Sequence, residues 1–311
     1  MRKVSINHRV YQVPETWNEM TKLQAIVCSR AVVEFMRLHA TIKNETLLEA
    51  RKADVRVRLM PYLLGVNQYR WQRIRKHTEP TELATLMLLA DVVFADYRMT
   101  DAYLQLNHRM HPDDYQDKVD AIQRKLLLTK QHLHQFRWPA YLGDVYHGPD
   151  TNFANMTIDE LRYADNFFMK AQVDANDDYI DALIAVMYRK ASKKAVKNTA
   201  DKREPFDEFT VIGRAKKLKN LPVGLKYYIF MWYKSNRAAL ELRYPYVFKR
   251  DGKKPAPGQP QGFGPIILAT SGAKFGTYDQ TKNVLAHVFL LSLNQELRNA
   301  EEQNRKQQIP A

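Results

Sequence analysis

One cysteine, Cys28, in 311 residues leaves no disulfide framework and no thiolate metal cluster, and its place among apolar residues in a helical pattern suits a reducing compartment. No apolar run approaches the roughly 20 residues that a bilayer-spanning helix needs. The longest, Leu83 to Ala90 and then Val92 to Ala95, is broken by Asp91 and is expected to be a buried helix. The opening MRKVSINHRVYQV has a basic pair but no signal-peptide core, which points to the cytoplasm. No Gly-x-Ser-x-Gly elbow, cysteine-protease signature or paired carboxylate marks acid-base work, so no catalytic residue is expected.

Other chemistries fail on spacing. The glycines at 262, 264, 272 and 276 lack the Lys-Ser or Lys-Thr that follows a phosphate-cradling loop, and no cofactor is expected. Asp174, Asn176, Asp177 and Asp178 lack the glycine and distal glutamate of a calcium loop, and suit helix capping instead. Five of the nine histidines, His108, His111, His132, His134 and His147, fall within 40 residues. However, His132 and His134 are two apart and would point to different sides of a helix, so no metal site is expected. No period of 20 to 50 residues recurs, which disfavours a solenoid or propeller.

What is present is core and positive charge. With 45% hydrophobic residues the chain can bury a substantial interior, and 48 Lys and Arg against 34 Asp and Glu leave a formal charge of +14. Such a balance favours approach to nucleic acid or to an acidic protein.

The pattern predicts a mainly α, irregular multi-helix protein with a small N-terminal β-hairpin. Val4, Ile6, Tyr11 and Val13 alternate around Asn7-His8-Arg9 and suit the hairpin. Thr21 and Gln24 have capping-box spacing before a helix that runs to about residue 39, and a second helix is expected from Glu45 to near Pro61. Helices are expected over 81–108 and 113–136 as an antiparallel pair. The stretch around Gly148-Pro149-Asp150 then serves as a linker at 146–156 between domains of 1–145 and 157–311. In the second half, Thr157 and Glu160 again have capping-box spacing, and a helix carrying Ile180 to Met187 runs into Arg189-Lys190. Residues 191–205 read as mobile and 250–265 as a loop. A last helix carries Val284, Val288, Leu291 and Leu297 before a polar tail.

Two basic regions invite binding. Tyr69-Arg70-Trp71-Gln72-Arg73-Ile74-Arg75-Lys76 interleaves aromatics with cations, and between Arg189 and Lys219 there are eleven Lys or Arg against four Asp or Glu. The polyanion-binding candidates are Arg70, Arg73, Arg75, Lys76, Lys193, Lys194, Lys197, Lys202 and Arg203. Aromatics between arginines suit single-stranded nucleic acid, while no helix-turn-helix, zinc finger or RNA-recognition signature is present.

Val4 to Asn7 and then Tyr11 to Thr21, with Pro14, Trp17, Glu19 and Thr21, resemble the opening of small proteins encoded among the tail genes of tailed phages and prophages. Leu161 to Lys190, ending Leu183-Ile184-Ala185-Val186-Met187-Tyr188-Arg189-Lys190, and Phe206 to Val223 are similar to a region of tail-assembly chaperones and baseplate-assembly proteins. The resemblance covers about a third of the chain. It implies a non-enzymatic assembly or virion component of the host cytoplasm or the particle. Such a component would bind a tail protein, tape-measure or baseplate, by helix-in-groove contact. Tyr69, Trp71, Tyr228 and Trp232 are the candidate anchors for that partner. Nucleic-acid binding through the basic and aromatic patches is the alternative, and no membrane partner is expected.

Overall fold

The computed structural model describes residues 1–94, 111–140, 142–174, 176–192, 201–248, 263–272 and 274–308. The fold is mainly α. In chain order it comprises β1 (Arg2–Ile6), β2 (Arg9–Val13), α1 (Lys22–Thr41), α2 (Glu45–Leu63), α3 (Gln68–His77), α4 (Pro80–Met87), α5 (Asp91–Phe94) and α6 (Pro112–Leu126). Next come β3 (Gln135–Trp138), β4 (Asp144–His147), α7 (Ile158–Asp174), α8 (Asp177–Met187), β5 (Arg189–Lys190) and α9 (Val211–Leu218). The chain ends with α10 (Val223–Arg243), α11 (Pro245–Phe248), α12 (Gly264–Thr270), α13 (Tyr278–Lys282) and α14 (Ala286–Gln308). No helix among the described residues is long and apolar enough to cross a membrane.

The chain divides into two compact units: Met1–His132 with Pro222–Ser235, and Leu133–Leu221 with Asn236–Ala311. The division therefore falls at residue 132, ahead of the expected 146–156 linker, because β3 and β4 pair with each other and β4 pairs with β5.

In the first unit, β1 and β2 pair antiparallel in the register Val4 to Tyr11 and Ile6 to Arg9. Asn7 (φ 47°) and His8 (φ 63°) both sit in the left-handed region, which is what a two-residue type I′ hairpin turn requires. The Thr21 capping box forms as expected: Gln24 N donates to Thr21 Oγ1 at 3.3 Å, and Thr21 N to Gln24 Oε1 at 2.7 Å. The same Gln24 amide donates to Tyr62 O at 2.9 Å and so ties the end of α2 to the start of α1. Burial pushes the Cys28 thiol up to about 12, which leaves it an inert core side chain.

α2 runs two residues beyond Pro61. Gly65 (φ 65°) then ends it: Val66 N donates to Pro61 O at 2.8 Å and Gly65 N to Tyr62 O at 3.0 Å, the paired bonds of a Schellman motif. Of the helix expected over 81–108, residues 88–90 are a 3-10 turn between α4 and α5, and residues 95–108 lie outside the described residues.

The helix expected over 113–136 stops at Leu126. Asn18 reaches across from the 3-10 turn Trp17–Glu19 before α1: its Nδ2 donates to Leu127 O at 2.9 Å, and its Oδ1 accepts from Thr129 N (2.9 Å) and Lys130 N (2.8 Å). The backbone groups that would have continued the helix are thus satisfied by a side chain more than a hundred positions away.

The second unit holds a three-stranded sheet, β3-β4-β5, that the sequence reading did not foresee. Phe136 stacks on Tyr146 and lies 5.1 Å from the Tyr188 ring, whose hydroxyl donates to Leu133 O. A Cβ at Gly148 would come within 2.5 Å of that ring, so glycine is what lets the backbone pass. α14 buries Ala286, Phe289 and Leu290; of the expected stripe, Val284 is half-buried and precedes the helix, whereas Val288, Leu291 and Leu297 face solvent.

α8 is buried along its length from Ile180. Its last carbonyls have no intrahelical donor, and three arginines supply the bonds. Arg214 Nη1 donates to Ala185 O (2.5 Å), Arg189 Nη1 to Val186 O (3.1 Å) and Arg203 Nη1 to Met187 O (3.2 Å). Glu160 lies between two of them: Arg189 Nη2 donates to its Oε1 at 2.7 Å, and Arg203 Nη2 forms an ion pair with Oε2 at 3.1 Å. Asp201 takes a fork of bonds from Arg203, and Glu204 pairs with Arg214 at 2.9 Å. Three carboxylates thus balance three guanidiniums. The expected Thr157 box is half formed, since Glu160 N donates to Thr157 Oγ1 while the Glu160 carboxylate is taken by the arginines.

Residues 201–204, expected to be mobile, belong to this cluster, with Ser192 N donating to Lys202 O and Glu204 N to Lys190 O. Burial pushes the Asp201 carboxyl up, but the hydrogen bonds and charge of Arg203 outweigh it and hold the group below its ordinary value. Since the folded-state value lies below the unfolded one of about 3.9, the contribution to stability is complete above that pH and is lost as pH falls through the folded value. Asp201→Asn should therefore flatten the acid limb of a melting-temperature profile between about pH 5 and about pH 2.

Candidate functional site

α3 is set by its cap and its two faces. Asn67 Oδ1 accepts from Arg70 N at 2.8 Å and starts the helix. Trp71 and Ile74, three apart, face the core at 2% and 6% exposure. Arg70, Arg73 and His77 fall at i, i+3 and i+7, a spacing that puts them on one face.

That face lines an open groove of about 650 Å³ together with the hairpin, which contributes Ile6, Asn7, Arg9 and Tyr11. The strand register accounts for the hairpin's share, since Ile6, Arg9 and Tyr11 fall on the same side of the ribbon. The Arg70 guanidinium lies 5.4 Å from the Tyr11 ring centroid, so its long side chain is held over an aromatic face. Tyr69 stands at the groove with 76% of its surface exposed. The lining holds Arg9, Arg70, Arg73 and His77 and no carboxylate. Among the described residues, no carboxylate lies within ion-pair distance of Arg9, Arg70 or Arg73. Such a surface keeps its positive potential for an incoming anion.

The structure separates the other candidates. Arg75 lines a different depression with Glu34, Leu38, Arg51, Asp54, Val57 and Arg58, where Arg58 pairs with Glu34, so the local charge is mixed. Lys76 is exposed outside the groove lining. Lys202 is exposed in the second unit, and Lys193, Lys194 and Lys197 lie outside the described residues. Arg203 is corrected: its side chain is 1% exposed and committed to Glu160, Asp201 and helix carbonyls, so it cannot meet a polyanion.

Three of the four partner anchors are corrected as well. Trp71 is a core residue of α3, and Tyr228 and Trp232 on α10 are fully buried. Their polar tips face inward: His132 N donates to the Tyr228 hydroxyl at 3.0 Å, and Trp232 Nε1 donates to Thr129 O at 3.2 Å. These two side chains hold the segment that follows α6. Only Tyr69 is placed to touch a ligand.

Sequence reasoning found the helix of this groove and missed its other wall. Arg9 and Tyr11 carried the needed signal in the alternation of the hairpin, but only the register across from α3 brings them together with Arg70. No family model matches the chain, and comparisons with curated proteins and with solved structures find no similar one.

Proposed function

We propose that this chain is a non-enzymatic binding protein whose groove between the hairpin and α3 holds the phosphate backbone of a nucleic acid. The observation that carries the reading is the lining of Arg9, Arg70, Arg73 and His77 without a carboxylate. Cations that no acid neutralises gain by displacing the counterions of a polyanion, and that gain weakens with salt. Three arginine contacts to a single strand give a slope of log affinity against log salt of roughly −2. Arg70→Ala with Arg73→Ala should reduce that slope by about 1.4 and leave the melting temperature nearly unchanged, because both side chains are exposed. An unchanged slope in the double variant would place the polyanion elsewhere.

Tail assembly through protein binding is a second reading, favoured by a different observation. Phe209 (88% exposed), in the 3-10 turn just before α9, and Ile212 (53% exposed), in the first turn of α9, stand three residues apart within the segment that resembles tail-assembly proteins. They would take the anchoring role from the buried Trp71, Tyr228 and Trp232, against an amphipathic helix of a tape-measure or baseplate protein. Apolar contacts of that kind persist in salt that dissociates phosphates, so a salt titration separates the two readings.

A further inference from the structure

The groove has three properties that a generic anion patch does not need. It is concave, it carries one bare aromatic ring beside its cations, and one of its cations, Arg70, already lies over the ring of Tyr11. We propose that its ligand is a single strand of nucleic acid, with phosphates at Arg9, Arg70 and Arg73 and a base lying on Tyr69. The proposal rests on the polyanion reading above and narrows it to a substrate class.

Concavity argues against a duplex. A duplex is a convex rod, read by pushing a protruding helix or ribbon into a major groove about 12 Å wide. Here α3 keeps Trp71 and Ile74 inward, and its charged face forms one wall of a trough against the hairpin. The trough's volume of about 650 Å³ is within the ~300–1,000 Å³ that encloses small ligands, a scale suited to a few splayed nucleotides.

The exposed ring argues the same way. In a duplex every base face is covered by its neighbours, so Tyr69 would meet only sugar and phosphate. A single strand offers bare base faces, and stacking on an aromatic side chain is the usual way such strands are held without regard to sequence. Tyr69 and Arg73 are one helical turn apart, so a base on the ring brings its own phosphates to the arginine. Arg70 is held against Tyr11 on one side, which orients its donors before the strand arrives and lowers the ordering cost of binding.

The test uses the full chain and fluorescence anisotropy with labelled oligo(dT) and oligo(rU) of about 10 nucleotides, a duplex of the same length, and heparin as competitor. Both single strands should bind about ten-fold or more tightly than the duplex. Tyr69→Ala should weaken them by roughly ten-fold while heparin and duplex binding stay as they were, and Tyr69→Phe should retain the wild-type affinity. A difference between oligo(dT) and oligo(rU) would assign the sugar within the same class. Equal affinity for all four polyanions, with Tyr69→Ala neutral throughout, overturns the single-strand proposal and leaves the polyanion groove standing. Binding that is indifferent to Arg70→Ala with Arg73→Ala overturns both.

Discussion

Glu160→Gln should destabilise the second unit by about 3–5 kcal/mol, the usual consequence of removing one member of a buried charge network. Glu160 is 3% exposed and lies between Arg189 and Arg203, whose side chains are each 1% exposed, so neutralising it leaves excess positive charge that water cannot reach. An ion cluster whose only partners are one another can often be replaced by apolar residues with little loss. This one differs, because the same guanidiniums donate to the carbonyls of Val186 and Met187 at the end of α8. The triple variant Glu160→Leu, Arg189→Met, Arg203→Met removes the buried excess of positive charge but leaves Asp201 and Glu204 against Arg214 alone, and leaves those carbonyls without donors, each loss costing about 1–3 kcal/mol. It should therefore fail to restore stability. Segment-resolved hydrogen exchange of Ile180 to Arg189 in the full chain reads this out. Native-like protection in Glu160→Gln would mean that the cluster is hydrated and not a buried lock.

The arginine cap also shows which parts of the fold were legible in the sequence. Local signals were read correctly where the partner lies a few residues away: the Thr21–Gln24 box, the hairpin strands and the positive charge after α8 each satisfy backbone groups of their own element. Reading failed where the deciding group comes from elsewhere in the chain. Residues 127–134 have helical composition, yet Asn18, Tyr228 and Trp232 take their backbone groups and turn the chain toward β3. Glu160 has the spacing of a capping-box residue, but two distant arginines outbid the cap for its carboxylate.

The same limit applies to the candidate site. Interleaved Tyr, Arg and Trp at 69–76 marked α3 as a binding element, and helical spacing alone divides it into an inner face, Trp71 and Ile74, and an outer face, Arg70, Arg73 and His77. What spacing cannot give is the second wall. Arg9 and Tyr11 come to α3 through tertiary packing of the hairpin, for which no local pattern exists. Aromatic residues on α10 were misread for a related reason, since Tyr and Trp serve both as interface anchors and as core residues with a hydrogen-bonding tip.

That ambiguity yields a prediction with a sharp contrast. Trp232→Ala should cost the first unit about 3–5 kcal/mol, the range for deleting a large aromatic from a packed interior. The side chain is fully buried, and its Nε1 donates to Thr129 O, so the variant both opens a cavity and removes a bond from the segment after α6. Trp232→Phe keeps most of the volume and should lose only a part of this. Tyr69→Ala, on a ring 76% exposed, should change stability by less than about 0.5 kcal/mol. Urea unfolding of the three variants, with ligand binding measured on each where folded, separates the roles. Trp232→Ala lowers the midpoint, while Tyr69→Ala keeps the midpoint and weakens single-strand binding by roughly ten-fold. A stable Trp232→Ala protein with impaired binding would return Trp232 to the surface and would require α10 to pack differently from the arrangement in which Tyr228 and Trp232 face Gln131 and Thr129.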